Sequence, residues 1–232
     1  MNRIRKPRAR LRDAGKICFV MAVNNQKKAL GALECIKHLK CPQGKKIEFI
    51  GLENKASMTA AYQQAMEQSN AKYKIYLHQD VTILRDDFLL RLVDEFSRYP
   101  QCGIMGVVGS RRLPANGIWW EDSHLLGAIY DNHEGYVKRY CYNNEALCSS
   151  MEASALDGLI LCTQYDVDWR QDLFGGWDFY DISQCMEFRR CNLTVRVLSQ
   201  TEPLVLHLCG QNLMQNYDVW REKFLQEYAG EF

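Results

Sequence analysis

The feature that most constrains the fold of this chain is the alternation of apolar strand-like runs with longer helical segments. Strand-like runs cover residues 16–24, 46–53 and 73–81, and a helical pattern separates each from the next. Alternation of this kind predicts a parallel sheet, because each helix returns the chain to the starting edge of the sheet. Ligands of open α/β sheets bind at the carboxyl ends of the strands. The sequence therefore predicts an α/β fold with a site at that edge.

Apolar residues at helical spacing predict three helices in this half of the chain. The first covers 26–40 and is expected to form one buried face from Leu30, Leu33, Ile36 and Leu39, together with Cys35, Ala29 and Ala32. Ser57 begins the second helix, which packs through small residues. The third covers 86–99 and ends before Pro100, and residues 103–110 then predict the next strand.

The pattern breaks between residues 111 and 152, where aromatic, glycine and charged residues predominate, with Trp119-Trp120 and Tyr130-Asp131 the most prominent pieces. We interpret this region as an inserted hairpin that lines a cleft. Regular structure is expected to resume with a strand at 155–163, a loop and helix at 173–191, short strands at 195–198 and 204–208, and a final amphipathic helix through Leu213, Tyr217, Trp220, Phe224 and Tyr228. We predict one domain over residues 16–232.

The overall charge gives no reason to expect a nucleic-acid partner. Lysine and arginine total 29 against 28 acidic residues, a net charge of +1. Residues 1–15 are the exception, because six basic side chains occur in the first twelve positions. This segment predicts a flexible, solvated tail, with weak contact to an anionic surface as the alternative.

The ten cysteines do not suggest a disulfide framework or a CxxC metal site. Cys18, Cys162 and Cys209 occur within apolar runs and are expected to be small buried residues in a reducing compartment. No apolar stretch approaches the ~20 residues of a membrane span, and the N-terminus lacks the apolar region of a signal peptide. We therefore expect a cytoplasmic protein without a membrane span.

Asp80 and His207 are the main candidates for metal chemistry. Each follows the end of a predicted strand, so a carboxylate and an imidazole could bind one divalent cation from the same edge. Such an ion would neutralise a diphosphate. Taken separately, a strand-terminal residue such as Asp80 is more often a helix or turn cap. A lone histidine near an apolar strand end, such as His207, is more often a hydrogen-bonded structural residue.

Asp178 and Asp181 lie three residues apart at the predicted start of a helix. One of them could act as a general base facing the cleft. The same spacing is also typical of helix capping, which involves no catalysis. The Trp119-Trp120 pair has two interpretations as well, a stacking surface for a sugar or base and a packing plug. Motifs for dinucleotide binding, P-loop nucleotide hydrolysis and α/β-hydrolases do not occur.

The order of these features resembles the family 2 glycosyltransferases of the GT-A fold. The motifs are ValAsnAsn at 23–25, GluAsn at 53–54, SMTAAYQQAM at 57–66, LHQDV at 77–81, GWDFYD at 176–181 and a late strand-terminal His207. More closely, the chain is similar to the branch typified by the streptomycin-biosynthesis protein StrF, in which HisGlnAspVal stands where most relatives carry Asp-x-Asp. The resemblance covers residues 16–210. It implies a Rossmann-like, mostly parallel central sheet flanked by helices.

The resemblance also implies roles for individual residues. Asp80 and His207 would hold Mn²⁺ or Mg²⁺, and Asp181 would be the catalytic base, with Asp178 next in line. The nucleotide of a UDP-sugar donor would be bound by Asn24, Asn25, Glu53, Asn54, His78 and Gln79. Trp119, Trp120 and Trp177 would form the platform for a saccharide or other hydroxyl acceptor. The activity implied is a metal-dependent, inverting sugar transfer.

Two other functions fit the same pattern. One is a nucleotide-sugar binding module that retains the fold without turnover, because His78 replaces the first Asp of Asp-x-Asp. The other is a nucleotidyltransferase, which normally needs a basic phosphate-binding loop near the first strand. Near the first strand, the only basic residues that could form such a loop are Lys27 and Lys28.

Overall fold

The structure is a computed structural model that describes residues 6–142, 149–210 and 216–232. The strands in these ranges are β1 (Asp13–Val23), β2 (Lys46–Glu53), β3 (Ala71–Leu77), β4 (Val81–Ile83), β5 (Cys102–Gly106), β6 (Val108–Ser110), β7 (Leu125–Asp131), β8 (Lys138–Cys141), β9 (Met151–Glu152), β10 (Ala155–Leu156), β11 (Ile160–Thr163), β12 (Thr194–Val197) and β13 (Val205–His207). The α-helices are α1 (Gln26–Lys37), α2 (Met58–Gln68), α3 (Phe88–Arg98), α4 (Tyr180–Arg190) and α5 (Tyr217–Glu227), with a 3-10 turn at Trp119–Glu121.

The main sheet has the strand order β2-β1-β3-β11-β5-β12-β9. Strands β2, β1 and β3 pair in parallel, and so do β5 and β12. Strand β11 lies between the two groups and is antiparallel to both, and β9 is antiparallel to β12. Five of the seven strands in this sheet therefore run in one direction. The predicted α/β architecture with a mostly parallel central sheet is confirmed.

Side chains alternate between the two faces of β1, which places helices on both sides of the sheet. Ile17, Phe19 and Met21 contribute to a core that also contains the buried face of α3. Cys18 and Val20 point to the opposite core, which is packed by α2 and α4. Both faces of the central strand are thus buried, as its continuous apolar sequence requires.

A second sheet, in the order β10-β6-β7-β13-β4, carries the site edge of the molecule. The predicted insert is confirmed as a hairpin, because β7 and β8 pair antiparallel within it. Strand β13 pairs with β4 on one side and with β7 on the other. The ends of three strands that are distant in sequence consequently lie side by side.

Two predicted strands are each divided into two. The segment 103–110 forms β5 in the main sheet and β6 in the second sheet, and the segment 155–163 likewise forms β10 and β11. Strand β6 approaches β10 so closely that a Cβ on Gly109 would lie 2.1 Å from the carbonyl oxygen of Ala155. A continuous apolar run does not reveal such a change of sheet, because both halves are buried.

The buried face predicted for the first helix is partly wrong. Leu30 is 56% exposed, and the residues of α1 that face the core are Ala29, Ala32 and Ile36. Small side chains allow the helix to approach the sheet closely, which rotates Leu30 outward. The helix also ends at Lys37, so Leu39 is buried in the turn that follows it.

The basic N-terminal residues lie against the domain from Arg8 onward. Arg8 forms ion pairs with Glu67 and Asp168. Arg12 donates to a backbone carbonyl of the main domain and stacks 4.6 Å from the ring centroid of Tyr165. Strand β1 begins at Asp13, within the last three residues of the predicted tail. Residues 1–5 of that tail and Leu213 of the predicted last helix lie outside the described residues.

Candidate active site

The turn between β3 and β4 carries His78, Gln79 and Asp80 to the edge of the sheet. Strand β3 ends at Leu77, and the backbone N–H of Val81 donates to the His78 carbonyl at 3.2 Å. The Asp80 carbonyl accepts the N–H of Leu208, which follows β13, at 2.9 Å. Asp80 is therefore held beside the end of β13.

His207 lies between two carboxylates at that edge. Its Nε2 is 3.5 Å from Asp80 Oδ1, and its Nδ1 is 2.9 Å from Asp131 Oδ2. The strand register explains the arrangement, since His207 pairs with Val81 on β4 and with Asp131 on β7. The metal-binding pair expected from the sequence is thus brought together, with Asp131 as an additional partner.

The charges of these three groups reinforce one another. Burial acts against protonation of His207, but the hydrogen bonds to Asp131 and Asp80 outweigh it and raise the His207 pKa to about 12. Burial likewise acts to raise the pKa values of both carboxyls, whereas the contacts with His207 lower them overall. The two carboxylates therefore favour the protonated form of His207.

His78 is a neutral partner in the same cluster. Its Nε2 is 2.5 Å from the hydroxyl oxygen of Tyr180, and its ring centroid is 5.6 Å from that of His207. Burial, followed by the neighbouring charge of His207, lowers the His78 pKa to about 4. A neutral imidazole is the form that binds metal ions.

The residues present fit a divalent cation. One ligand atom each from His78, Asp80 and His207 lies within 4.8 Å of the others. Two imidazole nitrogens and a carboxylate oxygen suit a transition-metal ion such as Mn²⁺. A carboxylate on the second ring nitrogen, here Asp131 on His207, is the usual support for a metal-binding histidine. Binding would require His207 to lose its proton.

Cys209 belongs to this cluster and not to a packed core. Its Sγ is 3.6 Å from Asp131 Oδ1, and its side chain is only partly buried. The expectation of a small buried residue is therefore wrong for Cys209, although it is confirmed for Cys18 and Cys162. Strand β13 has already ended at His207, so the thiol follows the chain out of the sheet.

Asp181 lies in the first turn of α4. Its Oδ2 accepts the N–H of Gly158 at 3.0 Å, and its Oδ1 accepts the N–H of Ile182 at 2.9 Å. Burial, and next the charge of Asp157, raises the Asp181 pKa to about 7 despite these hydrogen bonds. A carboxyl that titrates near neutral pH matches the requirement for a general base.

The alternative interpretation, in which Asp178 caps the start of α4, does not agree with the structure. The N-cap of α4 is Phe179, in a left-handed conformation with φ +60°, and no side chain caps the helix there. Asp178 precedes this residue and lines the same cavity as Asp181. Burial raises the Asp178 pKa as well.

A cavity of about 830 Å³ connects these groups. This volume lies within the range of small-molecule sites. Polar groups on its walls include His78, Asp131, Asp157, Asp178, Asp181 and His207. Its aromatic walls include Trp119, Trp120, Trp177, Tyr140, Tyr142 and Tyr217. Two of the three candidate metal ligands, His78 and His207, thus face the same space as the candidate base Asp181.

The three tryptophans of the predicted platform differ in exposure. Trp120 and Trp177 are 40% and 47% exposed, whereas Trp119 is 7% exposed. Trp119 packs edge-on against Trp120, with ring centroids 5.9 Å apart. Trp119 is therefore mainly a packing residue. Trp120 and Trp177 have the exposed ring surface.

The residues predicted to bind the nucleotide lie at the ends of β1 and β2. Gln79 Oε1 accepts the backbone N–H groups of Asn24 at 3.0 Å and Asn25 at 2.8 Å. The side chain of Glu53 accepts from Gln26, and Asn54 adopts φ +54°. Apart from His78, none of the predicted nucleotide residues is among the residues that line the cavity. They form a separate polar surface next to the β3–β4 turn.

Comparison with known proteins identifies the family of this chain. A family model described as "Glycosyltransferase like family" matches residues 18–228. The chain belongs to this glycosyltransferase family. A sequence comparison with curated proteins gives no match.

Solved structures confirm the glycosyltransferase fold. S. aureus TarS 1-349 in complex with UDP superimposes with a TM-score of 0.60 at 10% identity, covering 93% of this chain and 66% of that chain. The same TarS fragment in complex with UDP-GlcNAc gives a TM-score of 0.56 at 10% identity, covering 85% and 59%. Mannosyltransferase PcManGT from Pyrobaculum calidifontis, in complex with GDP-Man and Mn²⁺, gives 0.49 at 12% identity, covering 96% and 62%. This glycosyltransferase chain spans less than two thirds of the TarS fragments it matches.

Sequence reasoning missed several residues of the glycosyltransferase site. In the sequence Asp131 is visible only as part of a charged insert, because its pairing with His207 depends on strand register. Asp157 and Gly158 lie in the loop between β10 and β11, inside a run interpreted as one strand. The AspGly pair was the available signal, since this dipeptide is typical of turns. Across the described ranges, no helix is long and apolar enough to cross a membrane.

Proposed function

We propose that this protein transfers a sugar from a UDP-sugar to an acceptor hydroxyl with inversion at the anomeric carbon. The observation that carries the proposal is Asp181, a carboxyl with a pKa of about 7 that lines the same cavity as His78 and His207. The glycosyltransferase family supports the reaction class. The TarS structures contain UDP and UDP-GlcNAc, which supports a uridine nucleotide as the donor.

In the proposed reaction Asp181 removes the proton from the acceptor hydroxyl. The acceptor oxygen forms a bond to the anomeric carbon as the bond from that carbon to the diphosphate oxygen breaks. The diphosphate leaves with the bonding electron pair, and the sugar is inverted because attack and departure occur on opposite faces. The N–H groups of Gly158 and Ile182 fix the orientation of the Asp181 carboxyl.

Asp80, His207 and His78 are the residues that would hold Mn²⁺ or Mg²⁺, with Asp131 orienting His207. When bound, the ion would neutralise the negative charge that develops on the departing diphosphate. Asn24, Asn25, Glu53, Asn54 and Gln79, at the neighbouring strand ends, would contact the nucleoside together with His78.

Trp120 and Trp177 would contact a saccharide acceptor through their exposed ring faces, with Trp119 supporting Trp120. Aromatic faces suit the apolar side of a sugar ring. We keep the StrF-like branch, the division into a tail and one domain, the cytoplasmic location and weak anionic-surface contact of the basic tail as predictions from sequence.

A direct test is to measure UDP release from a panel of UDP-sugars with candidate acceptors in Mn²⁺. We expect Asp181→Asn to lower the rate of transfer by ~10²–10⁴-fold, because that is the usual contribution of a general base. Affinity for UDP should remain within about twofold, since this carboxyl is not a proposed donor ligand. Asp178→Asn is the matched control and should keep most of the transfer rate. Equal losses in the two variants, or full transfer by Asp181→Asn, would contradict the assignment.

A further inference from the structure

The side chain of Lys28 reaches the candidate metal site from helix α1. It is the third residue of α1, and its Nζ lies 3.1 Å from Asp80 Oδ2 and 3.3 Å from the carbonyl oxygen of Leu208. The lysine therefore joins the β3–β4 turn to the segment that follows β13. The first of these segments carries Asp80, and the second directly follows His207.

The ammonium group retains capacity for a ligand. A lysine Nζ has three N–H donors, and the contacts with Asp80 and Leu208 use two of them. The side chain is 41% exposed, so its third donor can reach a bound molecule from the solvent side. Asn25 caps the start of α1 by accepting the N–H of Lys28. The N-terminus of α1, which is the positive end of the helix dipole, therefore lies at the same edge.

We infer that Lys28 binds the diphosphate of the nucleotide directly and thereby supports nucleotide binding without a divalent cation. This inference rests on the proposed function, because that function supplies the diphosphate ligand. It assigns to Lys28 a binding contact beyond its ion pair with Asp80.

The charge balance of the site supports this role. A diphosphate placed beside Asp80 alone would be repelled by the carboxylate. Lys28 contacts that carboxylate at 3.1 Å and compensates its charge in the structure as it stands. A lysine is also suited to phosphate as a compact point charge on a flexible stem. The diphosphate can therefore approach this edge before any ion is bound.

Calorimetric binding of UDP and of uridine, each in EDTA and in excess Mn²⁺, separates the diphosphate contact from the nucleoside contact. For the wild-type protein in EDTA we expect UDP to bind at least about tenfold more tightly than uridine. Lys28→Met should reduce this ratio about tenfold in EDTA, because a charge-assisted hydrogen bond is lost. Lys28→Arg should retain most of the ratio. Lys27→Met is the control, since it removes the same charge from the same helical turn.

The outcomes distinguish this inference from the function on which it rests. If UDP binds only with Mn²⁺, or if Lys28→Met and Lys27→Met lower the ratio equally, the inference is wrong and the proposed function stands. If neither UDP nor uridine binds under any condition, and GDP and guanosine do not bind either, both are wrong. Melting temperatures of the variants check folding, and Lys28→Gln gives a second neutral variant should Lys28→Met be unstable.

Discussion

The Nδ1 atom of His207 lies 2.9 Å from Oδ2 of Asp131, and the two residues are register partners on the parallel strands β13 and β7. The backbone pairing fixes the distance, so the orientation of the imidazole depends on the insert that contains β7. This contact leaves Nε2 directed at Asp80. Asp131 is therefore a positioning residue for the candidate metal site.

Asp131→Asn should weaken Mn²⁺ binding by ~10–100-fold, the usual effect of losing an outer-shell carboxylate. The reason is that a neutral amide, even if its oxygen accepts a hydrogen bond from Nδ1–H, does not raise the basicity of the ligand nitrogen as a carboxylate does. Titration with Mn²⁺ followed by electron paramagnetic resonance measures the affinity without any need for activity. His133→Gln is the control, because His133 Nδ1 contacts Asp131 Oδ1 and its loss leaves the contact between Asp131 Oδ2 and His207 in place. Unchanged Mn²⁺ affinity in Asp131→Asn would contradict the proposal that Asp131 positions His207 for metal binding.

The rate of transfer should rise with pH through about 7, because Asp181 must be ionised to accept a proton and its pKa is raised to about 7. The pH profile of kcat/KM reports this value for the free enzyme. A profile that is flat between pH 5.5 and 8, with binding unaffected, would place the base elsewhere.

The same carboxyl should influence stability with the opposite trend. The Asp181 pKa is about 7 in the folded protein and about 3.9 in an unfolded chain. Its favourable contribution to folding is therefore complete below about pH 4 and is lost as the pH rises through about 7. The melting temperature of Asp181→Asn minus that of the wild type should be larger at pH 8 than at pH 5. Thermal unfolding at both pH values measures the difference, and Asp178→Asn serves for comparison.

Gly158→Ala should impair both stability and transfer. A Cβ at this position would lie 2.0 Å from the hydroxyl oxygen of the buried Tyr180, which contacts His78, and the N–H of Gly158 holds Asp181. We expect a loss of ~1–3 kcal/mol of folding free energy, as is usual for overpacking, together with a reduced kcat.

Gly31→Ala provides the matched control for this substitution. Nothing lies within 4 Å of a Cβ at Gly31, which is inside α1. Alanine there should leave transfer unchanged and increase stability by ~0.5–1 kcal/mol. Urea unfolding of both variants and their kinetic constants test the comparison. If Gly158→Ala behaved like Gly31→Ala, Tyr180 could not be held as tightly as the structure shows.

Lys74→Met should destabilise the protein by ~3–5 kcal/mol, because it leaves a buried carboxylate without its charge partner. Lys74 Nζ is 2.6 Å from Asp166 Oδ1, and the two side chains are 0% and 2% exposed. The double variant Lys74→Met with Asp166→Leu should recover much of the loss. Chemical denaturation of the single and double variants gives the coupling. If Lys74→Met were as stable as the double variant, water or another group would have to compensate the charge of Asp166.

The local pattern of the sequence determined the order and type of most elements. The bounds of β2 are those predicted, Ser57 caps α2, and α4 lies within the predicted loop-and-helix segment 173–191. These features follow from side-chain period and from capping chemistry, which act within one or two turns of chain. The same reasoning placed Asp80, His207 and Asp181 at the ends of elements, where side chains are free to form a site.

Only the tertiary structure decided which of these side chains meet, and in what state of charge. Asp131 reaches His207 through the register of β7 against β13, and Lys28 reaches Asp80 across 52 positions of sequence. The raised Asp181 pKa results from burial beside Asp157, and Leu30 turned outward because alanines packed more closely. Register, burial and electrostatic coupling are properties of the assembled chain, since each depends on contacts between segments that are distant in sequence.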